Sequence, residues 1–429
     1  MNPLWPRLQL TVAGAAVGVA LLVIGALTGR PDVAVLGAAP VVAAVWDWRR
    51  RPSGRIDSAL EPVGRSNEPG TLLGEVVVTA PPGTAAALVV VTRHREVVRE
   101  ALVHVDGTRA LPLVVRTART GIVKLADVAV QGIGPGAASV SEAAAPATAT
   151  VTVLPDVRPL DVVPLPPRLR GLTGTHDSRR PGEGGSLRDV HPFVPGDRLR
   201  RIDWRVTARR SPQLEELYVR REHALAEAVV MLVVDSRDEV GPDPLTWRGS
   251  LVPAAADATS LDLARRAAAS IAQAYLGTGD RVGLDDLAAM RRPLPPGGGR
   301  RQLDRIRQAL AMTAPVGEAG SRVRAPQIPS GALVVVFSTF LDDEVARAAT
   351  QWRGAGHRVL AVDVLPRLRA AHLKDRRQLA LRMVWMSRED RLAALADADV
   401  EVVTWHDGPD RRLAQIARRA QRRVGAGAR

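Results

Sequence analysis

The sequence predicts three structured regions: an N-terminal transmembrane helical hairpin, an antiparallel β-sandwich domain, and a doubly wound α/β domain. Three observations carry that expectation. An uncharged, mostly apolar stretch of 22 residues separates Arg7 from Arg30. Short β-branched runs broken by turn residues follow, and from Ala228 apolar strands alternate with helical patterns. The expected boundaries are 1–50 for the hairpin, 51–70 for a linker, 71–155 for the β domain, 156–222 for a connecting segment and 223–429 for the α/β domain.

The first apolar stretch, as a helix rising about 1.5 Å per residue, covers the roughly 30 Å hydrocarbon core of a bilayer. A secretory signal peptide is the alternative, but its apolar region is normally about 7 to 15 residues, and no clear small-x-small cleavage site follows. A second run, Val33 to Trp46, has 14 uncharged residues and contains Pro40, so by length it is spanning, re-entrant or interfacial. Its flank favours a span: Trp46 and Trp48 suit the interface, and Arg49, Arg50, Arg51 and Arg55 form the positive cluster expected on the cytoplasmic side. Arg30, Pro31 and Asp32 then form the outer turn. With one span or two, residues from about Pro52 onward are expected in the cytoplasm at the plasma membrane.

Six runs make up the β domain: Leu72 to Thr79, Ala87 to His94, Val97 to Val105, Leu111 to Arg116, Gly121 to Val130 and Thr148 to Leu154. Turn residues such as Pro81-Pro82-Gly83 and Asp106-Gly107 separate them, the pattern of an antiparallel sandwich. His94 and His104 lack carboxylate company and read as surface residues. Five prolines between Pro155 and Pro167 mark an extended connector.

The segment from Gly171 to Glu222 is the most informative. Its centre runs Phe193-Val194-Pro195-Gly196-Asp197-Arg198-Leu199-Arg200-Arg201-Ile202-Asp203-Trp204-Arg205-Val206-Thr207-Ala208-Arg209. Pro195-Gly196-Asp197 is a turn, and the arginines and aspartates after it alternate closely enough for guanidinium–carboxylate pairs around Trp204. Thr207 has no adjacent activating partner, so no nucleophile and base stand together. These residues resemble the signature of the domain-of-unknown-function 58 family (DUF58), whose features fall here on Gly174, Ser178, Gly196, Asp197, Arg200 or Arg201, Ile202, Asp203, Trp204, Ala208, Arg209 and Glu222. The resemblance implies a membrane-linked partner of a MoxR-type AAA+ ATPase. It implies no biochemical activity. The motif reads either as an ion-paired clamp between domains or as a partner-docking surface.

In the α/β domain the expected strands are Val229 to Asp235, Arg281 to Leu287, Leu333 to Phe337, His357 to Val364 and Val400 to Trp405. Helices are expected near Leu261 to Gly277, Gln302 to Met312, Asp342 to Arg353 and at the C-terminus. Such alternation builds a parallel sheet covered on both faces, with any ligand site at the carboxyl ends of the strands. The first strand ends Asp235-Ser236-Arg237-Asp238-Glu239, where von Willebrand factor A domains place an Asp-x-Ser-x-Ser metal motif; the domain is thus similar to that fold. Arg237 and Glu239 stand at the two serine positions, the loop Pro295 to Arg301 offers no threonine, and Thr339 lies where an aspartate is common. A guanidinium competes with a divalent cation, so the metal site reads as degenerate and no cofactor is expected. The weaker alternative assembles Asp235, Ser236, Asp238 and Thr339 into a rearranged ion site.

Composition narrows the functions further. With no cysteine, thiol catalysis and thiolate metal sites are excluded. The net charge of +14 is almost all arginine, yet from Arg179 to Glu222 eleven arginines face seven acids, which points to local pairing. The tail from Arg411 to Arg429 holds seven arginines and no acid. Aromatics at 3% leave little for base stacking, so nucleic acid is an unlikely partner. Gly277-Thr278-Gly279-Asp280 and Gly297-Gly298-Gly299 match no nucleotide fingerprint and read as turns. The expected function is therefore a non-enzymatic adaptor tethered to the membrane. Its rivals are a metal-dependent hydrolase or nuclease using Asp235 and Asp238, and an arginine-rich binder of anionic lipid or nucleic acid.

Overall fold

In the computed structural model the described residues are all except 1–4, 66–67, 69, 95, 172–173, 248–250, 289–291, 316–324 and 427–429; of the arginine tail, side chains beyond 419 are not described. The chain divides into two compact units. The first comprises Met1–Ala118, Ile122–Thr152 and Ala254–Ala256, the second Arg119–Gly121, Val153–Pro253 and Asp257–Arg429.

The first unit opens with α1 (Gln9–Leu27) and α2 (Pro31–Arg49), which run antiparallel. Small residues let them approach: a Cβ on Gly18 would lie 2.7 Å from Pro40, and one on Gly25 would lie 2.5 Å from the Ala34 nitrogen. Pro40 does not end α2, a helix of 19 residues that continues through it and places its ring beside Gly18. Of the described helices, α1 alone is long and apolar enough to cross a membrane by length and composition.

Seven strands follow: β1 (Asp57–Arg65), β2 (Thr71–Thr79), β3 (Ala86–Arg93), β4 (Glu96–Val103), β5 (Thr108–Arg116), β6 (Gly121–Ile133) and β7 (Ala147–Val153). They form two sheets, β1-β2-β5 and β4-β3-β6-β7, with antiparallel pairing. The layers face each other where Leu125 of β6 lies over Gly74 of β2; a Cβ there would meet it at 2.7 Å. β1 lies within the span expected to be a linker. Its Glu61, Pro62 and Gly64 hide it from sequence pattern, and a bulge between Pro62 and Gly64 accommodates them. The segment before α1 joins this unit too: Trp5 is fully buried, donates from Nε1 to the Gly54 carbonyl at 2.8 Å, and stacks on Gly132.

The second unit begins with an antiparallel ribbon of β8 (His176–Pro192) and β9 (Tyr218–Ala226), between which lies the short helix α3 (Trp204–Arg210). Then come β10 (Val229–Val234), α4 (Ser260–Gly277), β11 (Arg281–Asp286), β12 (Leu294–Gly297), α5 (Arg300–Ala311), β13 (Leu333–Ser338), α6 (Asp343–Gly354), β14 (Arg358–Asp363), α7 (Asp375–Asp397), β15 (Glu401–Thr404) and α8 (Pro409–Ala426). The sheet order is β12-β11-β10-β13-β14-β15, parallel throughout except for the edge strand β12. Alternate residues serve opposite faces. Leu232, Val335, Phe337 and Val362 pack with Leu261 and Ile271 of α4, Leu310 of α5 and Ile416 of α8. Val233, Val334, Val336 and Ala361 pack with Val345 and Trp352 of α6 and Leu395 of α7. Each such buried aliphatic side chain contributes about 1.5–3 kcal/mol, which makes this double-faced burial the main stabilising term.

Candidate functional site

The strand order reverses between β10 and β13, so the crevice at their carboxyl ends is where this kind of sheet presents ligand-binding groups. β10 delivers Asp235 there, its side chain 2% exposed. Arg237, two residues on, turns back onto it: Nε lies 2.8 Å from Oδ1 and Nη2 lies 3.1 Å from Oδ2 of Asp235. The same guanidinium reaches Asp342, the N-cap of α6, at 3.0 Å and Glu344 in its first turn at 2.7 Å. Ser338 at the end of β13 completes the ring, donating to Asp235 Oδ2 at 2.7 Å. Burial opposes the charge on Arg237, but the bonds to Asp235 and Asp342 outweigh it, and its pKa is raised.

Arginines also neutralise Asp363 and Glu239. Asp363 at the end of β14 pairs with Arg388 of α7 at 2.5 Å, both nearly inaccessible, and Arg388 Nε also donates to the Thr339 carbonyl at 2.7 Å. Glu239 accepts from Thr259 Oγ1 at 2.6 Å and pairs with Arg119, which lies 2.8 Å from Asp262 in the capping box of α4. Phe340, directly after Thr339, is fully buried at φ +54°, a left-handed conformation costly for a bulky residue; its amide donates to Ser338 Oγ.

Of the four residues of the rearranged ion site, three are bonded to other protein groups. Asp235 is held by Arg237 and Ser338, Ser236 Oγ donates away to Asp286 at 2.6 Å, and Thr339 Oγ1 accepts from the Leu341 amide. Asp238 is pushed up to about 6 by burial, with the Asp235 and Asp342 carboxylates adding to it and Arg237 opposing. Among the described residues no group of three or more His, Asp or Glu side chains is arranged to hold a metal ion.

The signature segment divides into supporting and exposed residues. Gly196 sits at φ +106°, and Asp197 closes its turn by accepting from the Val194 amide at 3.0 Å. Gly174 is held at φ +150° against β9, where a Cβ would collide with the Ala226 carbonyl at 2.1 Å. Asp203 caps α3, accepting from Arg205 N at 3.1 Å and Val206 N at 3.0 Å, and the buried Thr207 accepts from Tyr218 N at 3.0 Å. Ile202 bridges to Val219 on β9. Ser178 is buried and accepts from Arg180 N. Of the ion pairs expected around Trp204, Asp203 lies 3.9 Å from Arg220 and Asp197 lies 3.8 Å from Arg221, both on β9, while the arginines before Trp204 turn elsewhere. Arg198, Arg200 and Arg201 converge on Glu183 of β8, with Arg201 also 3.9 Å from Glu222, because the ribbon brings that acid over them. Trp204 is 62% exposed, and Ala208 and Arg209 share α3's exposed surface. Leu199, at 68%, is exposed beside them in sequence.

The ring around Arg237 needs residues the sequence did not single out: Ser338, Asp342 and Glu344 lie more than a hundred positions from it. Only Asp342, the polar residue opening a predicted helix, left a capping signal.

Fold and site thus define a parallel α/β domain whose ligand-facing edge is filled by its own arginines, carrying a β-ribbon with an exposed tryptophan helix. Residues 189–381 match the family profile described as "Protein of unknown function DUF58". An uncharacterized protein of Mycobacterium bovis and its counterparts in two strains of Mycobacterium tuberculosis are each 32% identical to it over 205 residues, covering 45% of this chain. The chain spans 59% of the length of these curated relatives. No solved structure matches it.

Proposed function

We propose that this chain is a membrane-tethered adaptor without catalytic activity, whose second unit is a von Willebrand factor A-like, doubly wound domain that docks a MoxR-type AAA+ ATPase. The observation that carries the docking reading is the exposed surface of α3. Trp204 is 62% exposed and Arg209 is exposed there, and tryptophan and arginine are the residues that dominate interface energies. Asp203 and Thr207 support that surface from below. Strand order 3-2-1-4-5-6 with an antiparallel third strand supports the doubly wound reading.

The hydrolase alternative needs Asp235 as a metal ligand, and both its oxygens already accept bonds from Arg237 and Ser338. Tethering rests on the apolar α1. Trp5 before α1 and β1 after α2 belong to the same β unit, so the helix pair leaves and returns on one side, as a hairpin does; the basic flank Arg49 to Arg51 favours the cytoplasmic side for it. The test is a pull-down with the full chain in detergent, with and without ATP. Wild type is expected to recover an AAA+ ATPase, and Trp204→Ala and Arg209→Ala to lose it while melting unchanged. Equal recovery by both variants, or no ATPase in any arm, overturns the docking reading.

A further inference from the structure

Where the two N-terminal helices meet the β unit, the chain forms a half-open cleft of about 180 Å³. Val12 and Ala15 of α1 and Val41 and Val45 of α2 supply apolar walls. That volume exceeds the roughly 150 Å³ that accommodates a benzene-sized apolar group, so it suits a segment of an acyl chain rather than a whole lipid. The polar lining is charged unevenly, with Arg7 and Arg51 against Asp47. Arg7 is exposed and stacks over Trp48 at 4.2 Å, and among the described residues no carboxylate pairs with it. It immediately precedes α1, whose N-cap Leu8 supplies no side-chain bond and whose first turn holds no acid, so the positive end of the helix adds to the same field.

We propose that this cleft is a binding site for an anionic phospholipid, with part of one acyl chain between α1 and α2 and the phosphate on the Arg7 guanidinium. An apolar slot that ends in an arginine matches an amphiphile with a negative head, and the α1–α2 pair itself lies where such molecules are concentrated. This rests on the membrane-anchor reading. Arg7 would hold the lipid phosphate while Trp48 fixes the guanidinium plane by cation–π stacking.

The experiment uses the full chain in nanodiscs of equimolar phosphatidylglycerol and phosphatidylcholine, gently extracted for native mass spectrometry. Wild type is expected to retain phosphatidylglycerol about fivefold over phosphatidylcholine, the factor corresponding to roughly 1 kcal/mol per arginine near an anionic surface. Arg7→Gln brings the ratio to parity, Arg7→Lys preserves most of it, and Ala15→Phe lowers retention of both lipids by filling the slot. Millimolar inorganic phosphate leaves the preference intact; its loss in phosphate would show that Arg7 holds a bare anion and would overturn the lipid site. A preference unchanged in Arg7→Gln also overturns it. Flotation with vesicles after alkaline washing separates the two readings: a chain that floats but shows no preference sinks this site alone, and one that stays soluble sinks the anchor as well.

Discussion

Two arginine-rich regions of the second unit use the same side chain in opposite ways. At the carboxyl edge of the sheet Arg237 and Arg388 are enclosed, each bonded to carboxylates delivered by strand ends. On α3 and the residues before it, Arg200, Arg205 and Arg209 are exposed, next to a tryptophan that the core does not use. The first arrangement consumes the binding capacity of the place where this fold type offers a ligand site. The second leaves capacity on the surface. Charge count therefore says little here; what matters is whether a carboxylate from a distant element arrives to close the pair.

Among the enclosed arginines, Arg388 is the most costly to remove. Its partner Asp363 is nearly inaccessible, so Arg388→Ala strands a buried carboxylate and is expected to cost roughly 3–5 kcal/mol in chemical denaturation. A loss below about 1 kcal/mol would mean the pair is not enclosed. Arg237→Ser strands Asp235, whose side chain is 2% exposed, and should cost about 3 kcal/mol, the Ser338 hydroxyl still donating to that carboxylate. It also leaves Asp235, Ser338, Asp342 and Glu344 around an empty cation position. Magnesium at millimolar concentration is therefore expected to raise the melting temperature of this variant and not that of wild type; an equal response in both would show that the guanidinium is not what excludes the ion.

Protonation probes the same edge. Asp238 has its folded-state pKa pushed up to about 6 from an ordinary 3.8, so the folded state holds its proton where the unfolded state has released it. Its contribution to stability is present below about pH 4 and is lost as pH rises to about 6. Asp238→Asn should remove that dependence and stabilise the domain at neutral pH by on the order of 2 kcal/mol, reduced by whatever water reaches the group. His176 acts in the same direction. Its bond to Asp280 raises its pKa against burial, so its stabilisation is present below its ordinary 6.5 and is lost as pH rises through the raised value. Urea titrations of wild type and Asp238→Asn at pH 5 and pH 7 check both signs.

What the sequence made legible follows from how local each signal is. β10, β13 and β14 are continuous apolar runs and announce themselves. α7 does not. Its middle, Leu379-Ala380-Leu381-Arg382-Met383-Val384-Trp385-Met386, is apolar on every side and largely exposed, so no 3.6-residue period marks it. β8 contains Pro181, Gly182, Gly184 and Gly185 and reads as a linker, while pairing with β9 makes it a bulged strand. At the site, Asp235 and Arg237 are legible because they are two residues apart. Asp342, Glu344, Asp363 and Arg388 meet them or one another only through the sheet, and no spacing in the chain encodes that.

The smallest stability effects give the sharpest test of the exposed region. Asp203→Ala removes the side chain that caps α3 and should cost about 1 kcal/mol. Trp204→Ala, one position on, should change stability by less than about 0.5 kcal/mol, since the ring packs against little. Binding should rank them the other way. If α3 is a docking surface, Trp204→Ala loses the partner outright, while Asp203→Ala weakens it only to the extent that the helix frays, and lower temperature recovers part of the loss. If the segment is merely an internal clamp, stability and binding fall together in both variants, and Asp203→Ala is the worse of the two by either measure.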